Sequence, residues 1–210
     1  MLQSEQIELL DQLRFGERAS DRNKALRELK LHEAEGLIAE EDLLRLLDEK
    51  DFVFKTYAIG AIGRLKLERA IPKLSKIYKE SNDPMILPAL LETFVGFESD
   101  AFVDCVAKKL KMLSDSKNKT GNGNLTFLLE QIVVPSLKYL QTSGTAKVEK
   151  TVNRFLDDPD PTIRWHALMT FDKLNLKISD QKLKQYIDED SYALVREQAS
   201  VMLEKRKKQK

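Results

Sequence analysis

Residues 160–167, Asp-Pro-Thr-Ile-Arg-Trp-His-Ala, contain the pattern that decides the fold. Asp160 and Pro161 are typical of a helix start. An Asp side chain can accept a free first-turn N–H, and a proline at the first helical position loses no useful hydrogen bond. Ile163 and Ala167 are four residues apart and therefore share one face of the helix. The stretch predicts an amphipathic helix that begins after Asp160.

Related sequences occur at three other places. Residues 51–58 read Asp-Phe-Val-Phe-Lys-Thr-Tyr-Ala, residues 192–199 read Tyr-Ala-Leu-Val-Arg-Glu-Gln-Ala, and residues 83–90 form a weaker copy, Asp-Pro-Met-Ile-Leu-Pro-Ala-Leu. The apolar anchors of the four copies are Phe54, Ile86, Ile163 and Val195, and the two close steps are 32 residues each. The interval between the second and third anchors has room for one longer unit. A fixed period of this length indicates a repeat architecture.

A second apolar stripe with helical spacing precedes each copy. The stripes are Leu43/Leu46/Leu47, Leu74/Ile77/Tyr78, Val152/Phe155/Leu156 and Leu183/Tyr186/Ile187. One helical hairpin cannot bury its own apolar face, so hairpins stack. We therefore predict an all-α solenoid of about five to six stacked antiparallel hairpins, forming one domain over residues 1–210.

The sequence also predicts elements outside the clear repeats. A first hairpin is expected from helices near 4–15 and 20–32, and the long middle unit from helices near 100–113 and 125–141. Residues 114–124 are polar and contain glycine, which favours a mobile loop. Residues 205–210 form a basic end that we expect to be disordered.

Composition narrows the classes of function. The 210 residues include 35 basic and 34 acidic side chains, so no global charge attracts nucleic acid or anionic lipid. The longest apolar run, residues 85–91, is too short for a membrane span and is interrupted by Pro88. With no signal peptide at the start, we expect a soluble cytoplasmic protein that is monomeric by default.

The pattern resembles HEAT repeats, especially the short type found in phycobilisome-lyase-like proteins. Residues 70–74, Ala-Ile-Pro-Lys-Leu, match the first half of the family motif, and residues 160–167 match the second half. The resemblance implies a right-handed stack with the second helices on its concave face. It also implies a structural ladder between neighbouring repeats, which here would consist of Asp51, Lys55, Asp83, Asp160, Arg164 and Arg196.

Residues with catalytic or metal-binding potential are sparse. The single cysteine, Cys105, has apolar neighbours and is expected in the core. His32 is interpreted as part of a solvated helix end and His166 as a partly exposed helix residue. One cysteine and two distant histidines give no zinc spacing. We therefore predict no catalytic residues, no metal and no cofactor.

The second helices offer a candidate partner surface. The residue after each Lys or Arg of the pattern is expected to face the concave side, and so is the residue four positions later. This series gives Thr56 and Gly60, Pro88 and Glu92, Trp165 and Met169, and Glu197 and Val201. Trp165, Met169 and Val201 would form an apolar patch, since Trp and Met are enriched at interface cores. The alternative is that Trp165 packs between repeats.

Three functions are compatible with these observations. The main prediction is a non-catalytic scaffold or adaptor that binds a helix or extended segment of another protein. One alternative is a nucleic-acid-binding or repair protein like the HEAT-like DNA glycosylases, with Trp165 and Asp172 on one helix face and the basic end touching phosphates. A second alternative is a subunit of a lyase-type chaperone that holds a pigment.

Overall fold

A computed structural model describes residues 2–117 and 123–208, with side chains described outside 116–130. Within those ranges the regular structure is helical and contains no strand. The all-α prediction is therefore confirmed for the described residues. The chain divides into two compact units, Met1–Phe97 and Glu98–Lys210. A single domain over residues 1–210 stays a prediction.

The first unit consists of three helical hairpins. They pair α1 (Ser4–Phe15) with α2 (Ala19–Ala34), α3 (Glu40–Leu46) with α4 (Phe52–Leu65), and α5 (Ile71–Glu80) with α6 (Ile86–Phe97). Helix α4 packs against both α2 and α6, so the second helices form a layer. Side chains from this layer are fully buried, among them Leu29, Ala58, Ile59, Ile62, Leu90 and Phe94.

The second unit repeats this arrangement. It pairs α7 (Val103–Lys117) with α8 (Gly123–Ser143), α9 (Glu149–Val152) with α10 (Pro161–Lys173), and α11 (Asp180–Glu189) with α12 (Ala193–Lys208). Short 3-10 turns flank α9, and α10 packs against both α8 and α12. Cys105 is 3% exposed and its thiol donates to the carbonyl of Phe102, so the prediction of a core cysteine is confirmed.

The aspartates of the repeat pattern lie at helix starts. Asp51 accepts the N–H of Val53 at 2.9 Å, and Asp160 accepts the N–H of Thr162 at 2.7 Å. Asp83 accepts the N–H of Met85, but α6 begins only at Ile86. The Asp-Pro pair of this weaker copy therefore does not begin the helix as Asp160 and Pro161 do, because a turn separates it from Ile86.

Three helices are followed within two residues by a left-handed residue that is not glycine. Lys66, Glu98 and Asn175 have φ angles of 50°, 52° and 51°. Each lies twelve residues after an apolar anchor of the repeat. A left-handed residue after a helix lets backbone N–H groups reach the last carbonyls, as Lys66 does with Gly63 and Ile62. The helix end is therefore a repeated feature, although no glycine marks it.

The predicted mobile loop at 114–124 is wrong at both ends. Helix α7 continues through Lys117, and α8 begins at Gly123. Ser114 is buried, and the Asp115 carboxylate lies 2.5 Å from Arg154. These contacts favour continued helix over a polar, exposed segment. Residues 118–122 lie outside the described residues.

The predicted disordered basic end at 205–210 is wrong for most of its length. Helix α12 extends to Lys208. Lys205 pairs with Asp172 at 2.6 Å, and Arg206 reaches both Asp180 at 2.7 Å and the carbonyl of Ile178. Acidic partners on α10 and α11 therefore hold these cations against the second unit. Residues 209–210 lie outside the described residues.

Candidate functional site

The arginine of the best repeat copy, Arg164, forms a buried ion pair with Asp190. Its Nε and Nη2 atoms each lie 2.8 Å from a carboxylate oxygen, and the two side chains are 14% and 5% exposed. Burial alone would raise the pKa of Asp190, but hydrogen bonds from Arg164 and from the Tyr192 N–H outweigh it, so this pKa lies below its ordinary value. Arg164 also donates to the carbonyl of Asp158. It thus joins the turn before α10 to the turn before α12.

The other predicted ladder residues behave differently from one another. Arg196 donates to the carbonyl of Asp190, six residues before it, as Arg164 does to Asp158. Asp51 pairs with Arg14 of α1 at 2.7 Å. Lys55 makes no side-chain hydrogen bond or ion pair with a described residue, so the structure does not show the tie implied for it.

Sequence reasoning missed Asp158 and Asp190. The available signal was their separation of 32 residues, which equals the repeat period. The carboxylate of Asp158 accepts the N–H of Asp160, and that of Asp190 accepts the N–H of Tyr192. The two aspartates therefore make the same hydrogen bond in equivalent turns of neighbouring repeats. In the third copy Tyr192 replaces the Asp of the pattern. The N–H of this residue is still accepted by the aspartate two positions before it, Asp190.

The predicted partner surface lies on α10 and α12, which pack against each other. Trp165 and Met169 are partly buried, Glu197 is exposed, and Val201 is 39% exposed. Trp165 is therefore not a fully buried core residue. Trp165 and Glu197 occupy equivalent positions one repeat apart, as do Met169 and Val201.

Asp172 has internal partners. Its carboxylate accepts from Lys205 at 2.6 Å and from Gln198 at 3.1 Å, and its side chain is 16% exposed. These bonds connect α10 to α12. Because both carboxylate contacts are made within the second unit, we leave Asp172 out of the partner surface proposed for this protein.

His166 is buried, at 6% exposure, so the prediction of a partly exposed residue is wrong. Its ring lies beside Trp165, with 4.6 Å between ring centroids, and Gln141 of α8 donates to its backbone carbonyl. Burial, with a smaller contribution from the charge of Lys138, lowers the pKa of His166 to about 4. The imidazole is therefore neutral near pH 7.

This buried histidine predicts a loss of stability on acidification. The unfolded chain takes up a proton near pH 6.5 and the folded chain only near pH 4, so acid favours the unfolded state across that window. We expect the free energy of unfolding to fall by about 2 kcal/mol from pH 7 to pH 4.5, and by less in His166→Gln. Urea unfolding followed by circular dichroism at several pH values measures this. Equal losses in the two proteins would contradict the prediction.

A second buried charge lies in the first unit. Glu33 is 5% exposed and accepts two hydrogen bonds from Arg64, each 2.8 Å long. The helix end that contains His32, which we interpreted as solvated, is therefore only partly so, since His32 is partly buried and Glu33 faces α4. Nearby, burial and the charge of Glu33 raise the pKa of Tyr57. The Tyr57 hydroxyl is buried beside the Glu33–Arg64 pair.

A cleft of about 770 Å³ opens beside this pair, between α1, α2 and α4. Its apolar residues are Leu13, Phe15, Leu26, Phe52 and Val53, and its cations are Arg14, Arg22, Lys30 and Arg64. A volume of this size lies within the range of small-molecule sites. A neighbouring cleft of about 440 Å³ shares Thr56, Gly60 and Arg64 with it and extends along α4 to α6.

Comparison with solved structures identifies the fold. A chain in the structure of the complex of CpcE and CpcF of phycocyanin lyase from Nostoc sp. PCC7120 matches with a TM-score of 0.59. The sequences are 17% identical, and the match covers 92% of this chain and 74% of that chain. The chain has a HEAT-like fold. An engineered protein also matches, with a TM-score of 0.51, 14% identity and 98% coverage of both chains. No protein-family model and no curated protein sequence matches.

Three members of the residue series predicted to face the concave side lie in clefts of the first unit. Thr56 and Gly60 line both clefts of that unit, and Glu92 lines the smaller one. None of the helices in the described ranges is both long and apolar enough to cross a membrane. Residues 2–117 and 123–208 also contain no group of three or more potential metal ligands.

Proposed function

We propose that this protein is a subunit of a lyase-type chaperone, which binds a partner protein and does not itself transform a substrate. The observation that carries the proposal is the likeness, over 92% of this chain, to a chain from a complex of two phycocyanin lyase proteins. An adaptor of general purpose would also bind a protein. The likeness favours the chaperone, because the matched chain comes from a complex of two phycocyanin lyase proteins.

The surface proposed for the partner comprises Trp165, Met169, Glu197 and Val201 on α10 and α12. These side chains are partly or largely exposed, and the two helices pack together. A partly buried Trp in such a position has the features of an interface hot spot, whose truncation commonly costs 2 kcal/mol or more. The proposed occupant is a helix or extended segment of the partner.

The experiment compares three tagged proteins: wild type, Trp165→Ala and Leu194→Ala. Leu194 is a matched control because it is an apolar residue of α12, 37% exposed, outside the proposed surface. We expect one protein from the source lysate to elute with wild type and Leu194→Ala as a complex of fixed stoichiometry. Trp165→Ala should bind that protein at least about tenfold more weakly in a titration with the purified partner.

Two results would overturn the proposal. The first is an equal affinity of all three proteins for the recovered partner. The second is recovery of nucleic acid whose binding falls steeply between about 50 and 200 mM salt, as phosphate contacts do. The nucleic-acid alternative has lost some support, since Lys205 and Arg206 are paired with acidic side chains of the second unit.

A further inference from the structure

The cleft between α1, α2 and α4 has more positive charge than its own carboxylates neutralise. Arg14 pairs with Asp51, and Arg64 pairs with Glu33. Arg22 donates to the carbonyls of Gly16 and Glu17 and has no described carboxylate partner. Lys30 is exposed and makes no side-chain hydrogen bond or ion pair with a described residue. Two cations of the cleft are therefore available to an incoming anion.

The same cleft exposes aromatic surface. The Phe15 side chain is 64% exposed and that of Phe52 is 50% exposed, and both line the cleft. The guanidinium of Arg14 lies over the Phe15 ring, 4.4 Å from its centroid, so cationic and aromatic surfaces adjoin. Flat apolar groups stack well on exposed rings, and removing the apolar surface of these rings from water would favour binding.

Tyr57 and Gly60 form part of the α4 side of the cleft. Tyr57 is 5% exposed, and burial, the charge of Glu33 and a hydrogen bond with that carboxylate all raise the pKa of its hydroxyl. Gly60, one helical turn later, has no side chain, and an added Cβ would meet the end of the Arg64 side chain at 3.1 Å.

From the unpaired cations, the exposed rings and the cavity volume, we propose that this cleft binds a small anion, a carboxylate, sulfonate or phosphate, attached to a flat apolar group. Arg22 and Lys30 contact the anionic group, and Phe15 and Phe52 contact the flat group. The site lies wholly within the first unit. It does not depend on the partner surface of the second unit, so either proposal can fail without the other.

The test uses two dyes with the same ring system. The first is the anion 1-anilinonaphthalene-8-sulfonate, and the second is N-phenyl-1-naphthylamine, which lacks the sulfonate. Both are titrated by fluorescence into the full-length chain at low and at physiological salt. The variants are Lys30→Gln and Arg22→Gln, and the matched control is Lys24→Gln, an exposed lysine of the same helix that does not line the cleft. A fourth variant, Thr56→Trp, fills the cleft.

We expect Lys30→Gln to weaken binding of the anionic dye about fivefold at low salt, and less at physiological salt because charges are screened. Lys24→Gln should stay within about twofold of wild type, and the neutral dye should bind wild type, Lys30→Gln, Arg22→Gln and Lys24→Gln alike. Thr56→Trp should abolish binding of both dyes while its circular dichroism spectrum and melting temperature stay near those of wild type. Equal anionic-dye affinities in Lys30→Gln and Lys24→Gln, or unchanged binding in Thr56→Trp, would overturn the proposal.

Discussion

Asp190→Ala lowers the free energy of unfolding by about 3–5 kcal/mol, which is the usual cost of removing one partner of a buried ion pair. The substitution leaves the Arg164 guanidinium, whose side chain is 14% exposed, without its carboxylate. It also removes the acceptor for the N–H of Tyr192 at the turn before α12. Urea unfolding at pH 7, followed by far-ultraviolet circular dichroism, measures the change.

The matched control is Asp157→Ala. Asp157 also pairs across one repeat, with Lys182 at 2.5 Å, but its side chain is 71% exposed. Exposed pairs contribute little because water and salt screen them, and we expect a loss below about 1 kcal/mol. If both substitutions cost the same, the buried pair does not stabilise the second unit in the way described.

Phe94→Ala lowers the free energy of unfolding by about 3–5 kcal/mol, because it opens a cavity in the first unit. Phe94 is fully buried and meets the ring of Tyr78 edge to face, with 5.3 Å between centroids. The substitution removes apolar burial and this ring contact together. Thermal and urea unfolding both measure the loss.

Val95→Ala is the control on the same helix. The Val95 side chain is 44% exposed, so its truncation should change stability by no more than about 0.5 kcal/mol. A loss of several kcal/mol in Val95→Ala would show that α6 buries a different face from the one described.

The fold was predictable because its signal is repeated. Residues 51–58, 83–90, 160–167 and 192–199 each place an apolar anchor near a helix start. Three of these helices begin at the second residue of the copy, namely Phe52, Pro161 and Ala193. A wrong assignment in one copy is corrected by the others. Ile163 and Val195 are both buried, as the period requires.

The sites were less predictable, because their features occur only once in the chain or do not require a particular residue type. The left-handed helix ends use Lys66, Glu98 and Asn175, of which only Asn is a residue that favours this conformation. The burial of His166 depends on contacts with α8 that its own helix does not reveal. The cleft of the first unit depends on α1 and α2, which contain no recognisable repeat motif. From the sequence, only Thr56 and Gly60 of that cleft could be placed on one surface.

The ion pairs between neighbouring repeats have a consequence for how the protein folds and unfolds. Glu33–Arg64, Asp48–Lys73, Asp157–Lys182 and Arg164–Asp190 each join residues 25–31 positions apart, which is about one repeat. Contacts of this range require only short loops to close, so hairpins can form quickly and in any order. Stability is then close to a sum of nearest-neighbour couplings. Under mild denaturant, hydrogen exchange should therefore spread from a damaged hairpin to the adjacent ones before it reaches the rest of its unit.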